Sequence, residues 1–125
     1  MNEKKSILKE YSFEFALEVI SMYKTLATDR REFVISKQLL RSGTSVGANI
    51  REAQNAQSSA DFIHKLYISQ KECDESLYWL ELLFHSKYIQ ETEFNELAIK
   101  ANSILKMIKS AILTTKQKNS KPKKP

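Results

Sequence analysis

The sequence predicts an all-α chain, an antiparallel up-down-up-down four-helix bundle, and three observations carry that expectation. Its two glycines are Gly43 and Gly47 and its two prolines are Pro122 and Pro125, so residues 1–121 hold no proline and too few turn formers for a β-rich fold. Apolar residues recur at intervals of three and four through four separate stretches, the spacing of helices with one buried side. Those stretches are joined by short polar links, which favour antiparallel neighbours. At 125 residues and 42% hydrophobic content, the chain suits one core and one domain.

The first helix is expected at 12–27, with Ser12 as cap and the polar run Thr28–Arg31 as its end. It carries two apolar stripes: Phe13, Ala16, Leu17, Ile20 and Tyr23, and beside them Phe15, Val19, Met22 and Leu26. One core contact needs only one, so the surplus predicts self-assembly. The second helix is expected after Asp29, with Glu32 at its positive end and Ile35, Leu39, Val46, Ile50 and Ala53 along one side. Its middle, Ser42–Asn49, is poor in helix formers, yet Leu39, Gly43, Val46 and Ile50 keep helical spacing, which predicts one continuous, close-packing helix. A phosphate-cradling loop is the competing reading; the stretch lacks both the Gly-Lys-Ser/Thr ending and the Gly-x-Gly-x-x-Gly pattern.

The third helix is expected at 59–86, capped by Ser58 or Ser59 and striped by Phe62, Leu66, Cys73, Leu77, Leu80 and Phe84. The fourth opens at Thr92, with Leu97, Ala101, Ile104, Leu105, Ile108 and Ile112 inward, acids early and lysines late. The chain thus divides into an N-terminal segment 1–11, a bundle 12–115, and a disordered lysine-rich tail 116–125.

The net charge of +5 has a local origin. Lys116, Lys118, Lys121, Lys123 and Lys124 lie in the last ten residues, and removing these five from 20 basic residues leaves 15, equal to the acids. A body without net charge carrying a cationic tail predicts, at most, weak RNA contact through phosphates, without sequence preference. The lone Cys73 fits a reducing compartment, and neither a signal-like start nor a membrane-length apolar run is present, so a cytoplasmic location is expected.

No catalytic centre, cofactor or metal site is expected. His64 follows Asp61 as one Asp-x-x-His pair, and the second pair that a di-metal bundle needs is missing. Glu72 and Glu75 share a helix side without a companion nucleophile or histidine. Ser45, Asn49 and Glu52 are expected to form a polar seam with Glu72 and Glu75, fixing helix register, with Glu72, Glu75 or Ser76 as partners for Asn49. The alternative function class, a small-ligand-binding or enzymatic bundle, would use this same seam.

Three stretches, Gln38–Ala53, Ser12–Ala16, and Asp61–Leu66 followed by Lys71–Leu83, resemble the signatures of the bacterial 23S rRNA-intervening sequence protein family over roughly residues 10–115. The resemblance implies a cytoplasmic bundle assembled as a homopentamer, a non-enzymatic scaffold or interaction protein. A related branch, the accessory proteins of diversity-generating retroelements, associates with a reverse transcriptase and nucleic acid, which implies RNA or a nucleic-acid-processing protein as partner. That branch is basic over its body, whereas the body here is neutral.

Overall fold

The computed structural model describes residues 3–120, with side chains from residue 7 onward. Four helices, α1 (Glu3–Asp29), α2 (Ile35–Gln54), α3 (Ser59–His85) and α4 (Glu91–Ser120), account for nearly all of it, and no strand occurs among the described residues.

Helix α1 begins well before the expected residue 12. Leu8 is buried one turn ahead of Ser12, so the inward line Leu8, Ser12, Phe15, Val19, Met22, Leu26 runs in alternating steps of four and three. Ser12 is therefore interior and no cap: its hydroxyl donates to the Lys9 carbonyl one turn back at 3.0 Å. Of the expected N-terminal segment 1–11, residues 3–11 belong to this helix.

Between α1 and α2 the chain turns through Arg31, whose φ of 51° is left-handed. Helix α2 starts at Ile35, later than expected, because Glu32 stands outside it as its cap. The Glu32 carboxylate accepts from the amides of Val34 (3.1 Å), Ile35 (3.0 Å) and Ser36 (2.7 Å), three donors that a helix start leaves without intrahelical partners. Burial alone would push this carboxyl up, but the amide bonds outweigh it and hold it below its ordinary value of 4.5.

From there α2 continues unbroken through Gly43 and Gly47, as the spacing predicted. A Cβ at Gly43 would lie 2.9 Å from both methyls of Val19, and one at Gly47 would lie 3.3 Å from the Ser12 hydroxyl. The low helix propensity of this stretch is thus offset by close approach of two backbones.

The Ser58 hydroxyl caps α3, accepting from the Asp61 amide at 3.1 Å. Helix α3 ends in a left-handed residue, Lys87 (φ 68°), after which the Tyr88 amide reaches the Leu83 carbonyl at 2.9 Å, a Schellman closure. Helix α4 opens with the Gln90 amide donating to the Glu93 carboxylate at 2.9 Å.

Each helix packs on two others, in the circuit α1–α2, α2–α3, α3–α4 and α4–α1. Val46 of α2 meets Ser69 of α3, and Ser42 meets Ser76; on the next side Cys73 meets Ala101. The centre is filled by Phe15, Val19, Leu39, Val46, Ile50, Leu66, Leu80, Leu83, Ile104 and Ile108, all nearly or fully buried. No helix of the described residues is long and apolar enough to cross a membrane.

Candidate functional site

The α2–α3 interface gathers most of the polar side chains that could carry function. Its buried line consists of serines. Ser42 and Ser76 share a hydrogen bond between hydroxyls at 2.8 Å, and the Ser69 hydroxyl donates to the Val46 carbonyl at 2.8 Å. Small, internally satisfied hydroxyls let two helix backbones come close without leaving an orphan polar atom; none remains among the described buried side chains.

The expected seam residues flank this line, but they do not join one another as expected. The Asn49 side-chain amide donates to the Ser45 carbonyl at 2.9 Å, and the Ser45 hydroxyl donates to the Arg41 carbonyl at 2.7 Å, so both are spent within α2. The expected partners of Asn49 are engaged elsewhere. Glu52 pairs with Lys65 at 3.1 Å. Glu72 pairs with Arg41 at 3.0 Å, and Glu75 accepts from both Arg41 and the Trp79 indole. The reason is reach. A short Asn side chain on a helix finds the carbonyl four residues back, whereas Arg41 spans the interface and takes both carboxylates.

Arg41 and Lys65 were not expected as seam partners, nor were Ser42 and Ser69 expected as part of the interface; Ser76 was expected there, but its partner is Ser42 and not Asn49. The signal for Ser42, Ser69 and Ser76 was present: each falls on the apolar stripe of its helix, where a small hydroxyl implies a backbone or hydroxyl acceptor opposite.

Other chemistry-bearing groups are scattered. Cys73 is fully buried and its Sγ lies 3.4 Å from the Ala101 carbonyl; burial, then the neighbouring Asp74 charge, pushes the thiol up to about 12, so it stays protonated at neutral pH. His64 and His85 are exposed. No group of three His, Cys, Asp or Glu residues among the described ones could hold a metal ion.

Two surface features complete the inventory. The lysine-rich stretch is helical as far as Ser120, which corrects the expected disorder of residues 116–120. Lys116 lies over the Tyr67 ring, 5.2 Å from its centroid, with Nζ 2.6 Å from the phenol oxygen, and this contact ties the last turns of α4 to α3. Lys118 is exposed, while Lys121, Lys123 and Lys124 lie outside the described residues. The second feature is the outer side of α1, where Phe13 is 54% and Leu17 51% exposed, with Ile20 and Ala16 partly exposed beside them. The neighbouring link adds Phe33 and Val34, 42% and 75% exposed. Together these leave a group of large apolar side chains in water.

A family model described as 23S rRNA-intervening sequence protein matches residues 4–110. Among solved structures, the chain is similar to a protein of unknown function from the S23 ribosomal protein family of Bacteroides thetaiotaomicron. The two are 49% identical with a TM-score of 0.86, over 87% of this chain and 97% of that one. No curated protein matches.

Proposed function

The chain belongs to the 23S rRNA-intervening sequence protein family, and from that premise we propose that it is a cytoplasmic, non-enzymatic scaffold that works as a homo-oligomer, a homopentamer by family resemblance. The observation that carries this reading is the outer stripe of α1. Phe13 and Leu17 are each more than half exposed on the helix whose opposite side, through Phe15 and Val19, is wholly buried. A second copy covering them would remove apolar surface from water at roughly 25 cal/mol per Å². Within each subunit the helices run up-down-up-down. The pairs Ser42–Ser76 and Val46–Ser69 support this, since residue numbers rise along one helix as they fall along the other.

The experiment is sedimentation of the full chain against the 14.5 kDa of one subunit. The wild type is expected to sediment as a discrete oligomer and the Phe13→Glu/Leu17→Glu double variant as a folded monomer. A monomeric wild type at micromolar concentration overturns the reading.

RNA contact is a secondary part of the proposal and rests on Lys116, Lys118, Lys121, Lys123 and Lys124. Several tails on one ring would raise the local positive charge and act together on one polyanion. Binding of a generic RNA is expected to fall steeply with salt and to weaken in a chain ending at Thr115; equal binding by both chains removes the tails from the function. No observation favours the alternative of a catalytic or ligand-binding seam, since Ser45, Asn49, Glu52, Glu72 and Glu75 each have a protein partner.

A further inference from the structure

At the end of the bundle where α2 finishes and α3 begins, the helices leave a cavity of about 490 Å³, within the range of small-molecule sites. Its deep wall is apolar: Leu8, Ile50 and Leu66 are buried, and Phe62, Met107 and Ala111 are partly so. Along α4 the lining changes character in order. Met107, Ala111, Thr114 and Lys118 are spaced by four, three and four residues, so they stand on one side of the helix, running from thioether to methyl to hydroxyl to ammonium. Lys106 and Ser110 form the flank beside them.

The charged side chains that line this cavity among the described residues are of one sign. Among the described residues, Lys106 and Lys118 line it, no carboxylate does, and neither lysine has an ion-pair partner. The cavity of about 510 Å³ beside the end of α1 differs. There Asp29 and Glu93 accompany Arg30 and Lys87, and the Arg30 guanidinium is already spent on the Tyr88 and Lys87 carbonyls at 3.1 and 3.3 Å. The helix dipole explains why cations suit the last turns of α4, but not why one crowns an apolar stripe facing a cavity.

We propose that the end cavity binds an amphipathic anion, with its apolar body against Phe62, Leu66, Met107 and Ala111 and its single anionic head at Thr114 and Lys118. Lys106 lies about 18 Å of helix from Lys118, by the rise of 1.5 Å per residue, so it contributes field and no contact to the same head. The site is separate from the outer stripe of α1 that the assembly proposal uses, and each stands or falls without the other.

The test is calorimetric titration of the full-length protein with sodium dodecanoate below its micelle concentration, with dodecyltrimethylammonium as the cationic counterpart. Dodecanoate is expected to bind saturably, one per chain, and the cation not to. Ala111→Trp, which fills the cavity, is expected to abolish binding. Lys118→Glu, an exposed change that leaves packing alone, is expected to weaken it at least roughly tenfold. Absence of saturable dodecanoate binding overturns the proposal. So does equal binding of the cation, or a Lys118→Glu variant that binds like the wild type. Should Ala111→Trp fail to fold, Lys118→Glu and the cation decide.

Discussion

Helix α1 presents two apolar stripes half a turn apart, and the bundle uses them in opposite ways. Phe15, Val19 and Leu26 point inward and are at most 2% exposed, while Phe13 and Leu17 point out and are more than half exposed. Composition does not separate them, since each stripe has a phenylalanine and an aliphatic partner. What separates them is what stands opposite. The inner stripe faces the glycines of α2, which admit Val19 and Ser12 at contact distance. The link into α2 repeats the contrast in reverse: the acid Glu32 is 7% exposed while Val34, two residues on, is 75% exposed. Burial here follows the availability of partners, three backbone amides for the Glu32 carboxylate, more closely than it follows hydropathy.

The contrast breaks most sharply at Phe15. Phe15→Ala should cost about 3–5 kcal/mol in chemical denaturation, because the ring is fully enclosed and the cavity cannot collapse completely. Phe13→Ala in the same assay, under conditions where the chain is monomeric, should change stability by no more than about 0.5 kcal/mol. Equal costs would mean that the stripes are not distinct.

The next effect acts on the inner stripe from across the interface. Gly43→Ala places a methyl 2.9 Å from two Val19 carbons and should cost about 1–3 kcal/mol despite the better helix propensity of alanine. Adding Val19→Ala should recover part of that loss, so the double variant should be more stable than the sum of the singles predicts, as measured in a double-mutant cycle.

Glu32→Gln should cost about 1–2 kcal/mol at pH 7, the worth of a well-made helix cap. Because the folded carboxyl is held below 4.5, its contribution is fully present above that value and is lost as pH falls through the lower folded value. The difference in thermal midpoint between wild type and Glu32→Gln should therefore be constant from pH 7 to about pH 5 and shrink below pH 4.5. A difference that grows on acidification would show that the charged form is not the stabilising one.

The smallest effect should come from the exposed seam. Arg41 is half exposed in its pairs with Glu72 and Glu75, and Arg41→Ala should cost only about 0–1 kcal/mol, the usual worth of such pairs. A larger loss would make the carboxylate cluster a structural keystone in place of the buried serines.

The four helices, their order and the continuity of α2 through Gly43 and Gly47 were legible in the sequence, because three-and-four spacing encodes a buried side whatever the local propensity. Helix ends were less legible. Ser12 reads as a cap only if the chain before it is not helical, and Leu8 decided otherwise by finding a place in the core. Lys116 read as tail until Tyr67 gave it a ring to lie on. The seam suffered most. The residue types were on the right flanks, but pairing depends on reach and register between helices, and those put Arg41, not Asn49, opposite Glu72 and Glu75.

Periodicity, a property of one helix at a time, determined the fold class, the helix count and the surplus of apolar surface on α1. Which stripe of that surplus is core, which carboxylates meet which cations, and where the bundle leaves a cavity were decided only by tertiary packing. These depend on distances between segments far apart in the chain, which a one-dimensional pattern does not contain.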